Sequence, residues 1–242
     1  MKLKNNKILI TGGASGIGLG FTERFIKENN TVIICGRREK LLKEIEMKYP
    51  SVTAIRCDLS KAGEREDLFK WISENHSDLN VLLNNAGIQQ RMSVSDSDFI
   101  TRAEEEIAIN VEAPLHLVSL FLKLRSRQAI MNVTSGLAFA PMARVAVYCA
   151  TKAFLHSYTL SLRHILKAEN IEVIEIIPPA LNTDLGGKGL HGYAPSVAEF
   201  IDAAFKQIEM GKNEITYGFS ESMINYGPED LRKAFERMNN IQ

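Results

Sequence analysis

Cysteine is scarce in this 242-residue chain: Cys35, Cys57 and Cys149 are the only three, and no Cys-x-x-Cys pair or Cys/His cluster accompanies them. That pattern excludes a disulfide scaffold and a zinc module, so no metal is expected, and a reducing compartment such as the cytoplasm is. Net charge is missing as well. Lys plus Arg and Asp plus Glu are 29 each, without the basic excess of a nucleic-acid or anionic-membrane binder. Long hydrophobic runs are also lacking. The stretch 128–143 is free of charge but contains Asn132, Thr134, Ser135, Gly136 and Pro141, which does not suit a membrane span. The apolar run 8–10 meets Thr11-Gly12-Gly13 at once, too short for a signal-peptide core. There is no low-complexity linker and no evident repeat.

What the chain does have is 45% hydrophobic and 24% charged residues, the balance of a globular domain. Short β-branched runs alternate with amphipathic stretches. The runs, at 7–11, 31–35, 52–57, 81–84, 129–134, 171–177 and 214–217, are continuous rather than alternating, which suits strands buried on both faces. Helices are expected near 17–29, 39–49, 64–74, 96–123, 148–168, 196–211 and 228–238. Strand and helix in such regular succession predict one α/β domain over 1–242, a Rossmann-like doubly wound parallel sheet of about seven strands. In such sheets ligands bind at the carboxyl ends of the strands.

The first run ends in Thr11-Gly12-Gly13-Ala14-Ser15-Gly16-Ile17-Gly18. Gly12, Gly16 and Gly18 give a turn with glycine where φ is positive or backbone must approach closely. A helix N-terminus after such a turn offers N–H groups to a pyrophosphate. Ser15 and Ile17 complete the candidate nucleotide turn; the bland alternative is a glycine-rich turn without a ligand. No Gly-Lys-Ser/Thr follows, so a Walker-type loop is not indicated. The second run ends in Cys35-Gly36-Arg37-Arg38. An acidic residue there would hold ribose hydroxyls, whereas space at Gly36 and charge at Arg37 and Arg38 suit a 2′-phosphate, favouring NADP over NAD. Asp58, followed by Leu59, ends the third run and is a candidate for the adenine amine or for capping the next helix, a task Ser60 could also serve.

Tyr148 and Lys152 stand four apart on an expected helix, hence on one face. A nearby ammonium lowers the cost of a phenolate, which fits tyrosine for proton transfer. Ser135 follows a strand end, where a hydroxyl can orient a carbonyl oxygen. Asn84-Asn85-Ala86-Gly87 ends another strand, and its small residues let backbone approach a flat ligand. Asn110 interrupts an apolar helix pattern, where an unsatisfied amide is costly. It either bonds a helix carbonyl or holds a water linked to Lys152.

With these motifs the chain resembles the short-chain dehydrogenase/reductase family, compact single-domain branch, from about 7 to 183. Its C-terminal third, with Tyr217-Gly218-Phe219-Ser220, resembles the DltE-type oxidoreductases of bacteria. The resemblance implies an Asn110–Ser135–Tyr148–Lys152 tetrad. Tyr148 would exchange the proton, Ser135 hold the substrate oxygen, Lys152 bind the nicotinamide ribose and Asn110 fix a relay water. Hydride would pass between NADP(H) and a small carbonyl or alcohol substrate. Asn85, Ala86 and Gly87 would also contact the cofactor, and Thr183 its carboxamide. Paired helices would make a homodimer or homotetramer.

The chain departs from the family at Pro178-Pro179, where Pro179 stands for a usual glycine and stiffens the hinge. The glycine-rich 186–192 segment reads as part of a substrate lid at about 180–196. Arg91 and Arg144 are expected near the pocket mouth as candidate contacts for an anionic substrate, and His191 lies on the lid. Leu137, Phe139, Pro141, Met142, Leu181 and Leu185 are expected to line an apolar pocket. The competing function is a catalytically silent nicotinamide-binding regulator or scaffold. A sugar-nucleotide epimerase or dehydratase fits poorly, because few residues follow Thr183 to build its substrate domain.

Overall fold

A computed structural model describes residues 1–240; the last two residues of the expected 1–242 domain lie outside it. Seven strands form one sheet: β1 (Lys7–Thr11), β2 (Thr31–Gly36), β3 (Val52–Arg56), β4 (Val81–Asn84), β5 (Ala129–Val133), β6 (Glu172–Ile177) and β7 (Glu214–Thr216). All pairs are parallel, in the order β3-β2-β1-β4-β5-β6-β7. The chain winds outward from β1 to β3, then returns to start β4 on the other side of β1. That reversal leaves a crevice at the carboxyl ends of β1 and β4.

Alternation along each strand builds two cores. Ile8 and Ile10 of β1 pack with Phe21 and Phe25 of α1 (Gly16–Lys27) and with Phe200 and Phe205 of α7 (Val197–Glu209). Leu9 points the other way, toward Leu68 and Ile72 of α3 (Ala62–Asn75), Phe121 of α5 (Ala113–Phe121) and Leu162 of α6 (Ala146–Leu166). Burial of each such side chain contributes about 1.5–3 kcal/mol, so both faces of the sheet need apolar residues. This is why the strand sequences read as continuous runs. α2 (Glu39–Lys48) adds Leu42 and Ile45 to the first core.

The helix expected over 96–123 is found from Phe99 to Phe121, with one change of pitch: α4 covers Phe99–Ile107, a π-helical turn follows at Ala108–Glu112, and α5 then continues. Pro114 accounts for the wider turn. It has no N–H for the carbonyl four residues earlier, which is that of Asn110, and its ring would clash there. The wider turn removes that conflict and puts Asn110 on it.

Beyond β7, α8 (Phe219–Asn225) and α9 (Pro228–Asn239) form a small third core with the segment before α6, using Ala140, Met223 and Ala234. Phe139 packs there too, beside His156 at 4.6 Å between ring centroids. The Asn239 side chain fastens α9 to this segment, accepting from the Ala143 N–H at 2.6 Å and donating to the Pro141 carbonyl at 3.0 Å. The connection between Ser135 and Tyr148 is thus held by the C-terminal helix. Among the described residues, no helix is long and apolar enough to cross a membrane, and no cluster of three or more potential metal ligands occurs.

Candidate active site

The carboxyl ends of β1, β4 and β5 open into a cleft of about 1280 Å³. The glycine turn forms one end. Gly12 and Gly16 have φ of +67° and +53°, a region L side chains resist. Gly18 serves a different purpose. A Cβ there would lie 2.3 Å from the Gly12 carbonyl oxygen and 2.4 Å from Asn85 Nδ2. Its lack of a side chain therefore lets α1 approach the turn, and Gly18 stands behind the cleft wall formed by Gly12, Ser15, Gly16 and Ile17. Ser15, the N-cap of α1, makes no side-chain cap bond, so first-turn N–H groups are left for a ligand. Its hydroxyl instead accepts from Arg38 Nη2 at 2.5 Å.

Thr11 and Asn85 brace β1 against β4. Thr11 Oγ1 accepts the N–H groups of Asn85 and Ala86, each at 2.9 Å, and Asn85 Nδ2 donates to the Thr11 carbonyl at 2.8 Å. Arg37 and Arg38 reach the same end of the cleft, and a Cβ on Gly36 would touch nothing within 4 Å. Arg37 pairs with Glu105 at 3.1 Å. Leu59 lines the cleft, but Asp58 does not; its Oδ1 accepts the N–H and hydroxyl of Ser60 at 3.1 and 2.8 Å. Burial pushes the Asp58 carboxyl up, yet the Ser60 bonds and Arg37 hold it below its ordinary value.

At the other end Ser135, Tyr148 and Lys152 share one wall. Lys152 is buried and, among the described residues, has no carboxylate partner; its Nζ donates to the Val133 carbonyl at 2.8 Å and lies 5.7 Å from the centre of the Tyr148 ring. Burial lowers its ammonium to about 8. Burial also pushes the Tyr148 phenol well up, against the Ser135 hydroxyl that pulls it down. The Ser135 hydroxyl accepts from the Leu137 N–H at 3.1 Å, which fixes it at the strand end. Behind it, Glu175 is fully buried and bonded to Thr134 at 2.6 Å and His156 at 2.9 Å.

Asn110 stands behind the cleft rather than on its wall. Its Nδ2 donates to the Ile88 carbonyl at 2.9 Å and Thr151 Oγ1 at 3.1 Å, while Oδ1 accepts the Ile88 N–H at 2.9 Å. The amide therefore bonds across to a loop, not to its own helix. A Cβ on Gly87 would lie 3.2 Å from Asn110 Oδ1 and 3.5 Å from Lys152 Nζ, so this glycine leaves room between the two groups. Thr183 sits over the glycine turn, its Cγ2 3.5 Å from a Cβ built on Gly16. The segment after β6 is closed by the Asn182 N–H bonding the Pro195 carbonyl at 2.9 Å. His191 Nε2 lies 3.1 Å from the Leu185 carbonyl.

Of the expected apolar lining, Leu137, Met142, Leu181 and Leu185 reach the cleft, whereas Phe139 and Pro141 do not. Phe139 turns toward the C-terminal helices instead. Phe219 and Met238 line the cleft in its place, a contribution that only the docking of α8 and α9 creates. Glu106 also escaped sequence reasoning. It is fully buried; Oε1 accepts the Gln90 N–H and Oε2 has no partner. Burial pushes its carboxyl up to about 7. It reads as part of the charged run 104–106, but positions 103, 106 and 110 share a helical face.

An uncapped helix N-terminus after two left-handed glycines, two arginines beside open space and a buried ammonium without a counter-ion make a donor set that fits a phosphorylated dinucleotide. The chain belongs to the short chain dehydrogenase family, whose model matches residues 6–192. It is 42% identical to the uncharacterized oxidoreductase DltE of Bacillus subtilis, over 99% of this chain and 98% of that protein. It is 29% identical to the NADP-dependent 3-hydroxy acid dehydrogenase YdfG of Escherichia coli O6:H1, over 94% of this chain and 86% of that one. In fold it matches a short chain dehydrogenase from Burkholderia cenocepacia in complex with NADP, with TM-score 0.84, 23% identity, and coverage of 98% of this chain and 99% of that one. The protein is accordingly an oxidoreductase of the short chain dehydrogenase family.

Proposed function

We propose that the protein is a single-domain NADP(H)-dependent reductase of small carbonyl compounds, with the corresponding alcohol oxidation as the reverse reaction. The observation that carries this reading is the convergence of Ser135, Tyr148 and Lys152 on one wall of a cleft whose far end is the glycine turn. Gly12, Ser15, Gly16 and Ile17 would hold the pyrophosphate, with Gly18 keeping the turn tight. Leu59 would border the adenine, with Asp58 behind it holding Ser60, and Arg37 and Arg38 the 2′-phosphate. Asn85, Ala86, Gly87 and Thr183 would flank the nicotinamide half, and Tyr148 and Lys152 its ribose. Bound there, the nicotinamide group supplies or accepts the hydride.

In the reductive direction Tyr148 gives its proton to the substrate oxygen. Burial favours the protonated phenol in the free protein, the form a general acid requires. Lys152 keeps a positive charge beside the phenolate left behind, and Ser135 orients the substrate oxygen. Asn110 holds the Ile88 loop, with the remaining lone pair of Oδ1 available to a relay water. The 180–196 segment serves as the substrate lid. Three buried free thiols support a cytoplasmic setting. Exposed Ile100 on α4 with Phe154 and Ile165 on α6 supports pairing of these helices in a homodimer or homotetramer.

The arginines supply the test of cofactor choice. The exposed Arg37–Glu105 pair is worth about 0–1 kcal/mol, less than the ~1.5–3 kcal/mol of a hydrogen bond to a charged group, so a phosphate displaces Glu105 at little cost. Arg37→Asp combined with Arg38→Ala is expected to weaken NADPH binding by roughly 10–100-fold and narrow the preference over NADH, read by fluorescence titration. Tighter binding of NADH than NADPH by the unaltered protein would show that the arginines do not select the cofactor. NADPH binding with no turnover across a broad carbonyl panel would instead favour the silent regulator.

Lys152 sets the expected pH dependence. Its ammonium is lowered to about 8, so it is charged below that pH and neutral above. The kcat/KM for NADPH, which reports the free enzyme, is expected to fall as pH rises through about 8. A flat profile from pH 7 to about 9.5 would remove Lys152 from this role.

A further inference from the structure

Five arginines line the cleft, and three of them have polar partners: Arg24 has Glu28 and Asp202, Arg37 has Glu105 and Arg38 has the Ser15 hydroxyl. Arg91 and Arg144 differ. Among the described residues neither makes an ion pair. Arg144 Nε meets only the Met142 thioether at 2.9 Å, a weak acceptor. The two side chains come from separate elements. Arg91 lies on the loop after β4, and Arg144 in the short turn leading into α6, four residues before Tyr148.

The acids nearest in sequence are already engaged. Asp96 and Asp98 pair with Arg102 at 3.6 and 3.7 Å, and Asp96 also accepts the Ser93 N–H at 2.8 Å. Arg102 donates to the Arg91 carbonyl as well, which anchors the Arg91 backbone while its guanidinium stays unpaired. Asp184 is the carboxylate on the lid side of the cleft and pairs with neither arginine. Both arginines also border a second cavity of about 600 Å³, so they stand on the divide between it and the cleft. Two guanidinium groups from separate segments, both bordering the same two cavities, suit capture of an oxyanion.

We propose that Arg91 and Arg144 form an anion subsite at the mouth of the cleft, so that the substrate is a carbonyl compound bearing a carboxylate or phosphate. The anion is held there while the carbonyl oxygen reaches Ser135 and Tyr148. This rests on the carbonyl-reductase reading and adds the class of substrate. Arg144 stands in the turn ahead of α6, four residues before Tyr148 and outside its helix, so the charged group is held a short chain away from the reacting carbon rather than next to it.

The test uses matched pairs: 3-oxo acids of four to eight carbons against their methyl esters, and phosphorylated ketones against their unphosphorylated parents. NADPH oxidation is followed for each, and binding is measured separately by calorimetry, which needs no turnover. The charged member of at least one pair is expected to have a kcat/KM roughly tenfold or more above its neutral partner. Arg91→Ala with Arg144→Ala should cut that charged-to-neutral ratio by a similar factor, mainly through KM. The acid and phosphate arms separate the two anions. Equal kcat/KM within every pair, or a ratio unchanged in the double variant, overturns the subsite while leaving the reductase standing. No turnover of any carbonyl overturns the reductase. In that event calorimetry decides the subsite: arginine-dependent binding of an anion supports it, and none overturns it.

Discussion

Tyr148→Phe is expected to lower kcat for carbonyl reduction by roughly 10²–10⁴-fold, the usual worth of a positioned general acid, while leaving NADPH affinity within a few-fold. The substitution removes one hydroxyl and keeps the ring. That ring is buried among Val145, Cys149, Leu137, Met142 and Leu185, so its packing persists. The lost oxygen is the group whose proton affinity Ser135 pulls down, on a ring whose centre lies 5.7 Å from the Lys152 ammonium. Steady-state kinetics on the best carbonyl substrate, with a fluorescence titration of NADPH, separate chemistry from binding. If the phenylalanine variant turns over at the unaltered rate, the proton comes from elsewhere and the assigned mechanism is wrong.

The second large effect is expected at Gly18, which touches no substrate. Gly18→Ala would put a methyl group 2.3 Å from the Gly12 carbonyl oxygen and 2.4 Å from Asn85 Nδ2. One of those atoms is backbone in the turn, and the other braces β1 to β4, so neither yields freely. Overpacking of this kind costs about 1–3 kcal/mol, which for a chain of this length lowers Tm by roughly 2–12 °C. NADPH affinity is expected to fall more than tenfold, because the displaced turn carries the N–H groups meant for phosphate. Gly36→Ala is the contrast: its Cβ meets nothing within 4 Å, and its Tm should stay within about 2 °C. Thermal melts with and without NADPH read both. A Gly18→Ala protein with unaltered Tm and affinity would mean that the turn is looser than its contacts indicate.

The fold was readable because its strands must be apolar on two sides. Every expected run, from 7–11 to 214–217, coincides with a strand to within a residue or so at its ends. The long helix expected over 96–123 is present from Phe99 to Phe121, and its π-turn has a reason also written in the chain: Pro114 removes the donor for the Asn110 carbonyl. An apolar periodicity spans both sides of that turn and hides it.

Sequence alone determined the features that depend on neighbours along the chain. Left-handed backbone requires glycine at 12 and 16, and helical spacing puts Tyr148 and Lys152 on one face. Runs of β-branched residues between amphipathic helices then leave few packing solutions but a doubly wound sheet. Tertiary structure alone decided which polar groups are satisfied. Arg37 meets Glu105 while, among the described residues, Arg91 and Arg144 meet no carboxylate. Asp58 is engaged by Ser60, Asn110 bonds the Ile88 loop, and Glu106 is buried with one oxygen unpaired. Pairing, burial and the resulting shifts in proton affinity depend on what faces a residue across the fold, and sequence spacing carries no record of that distance.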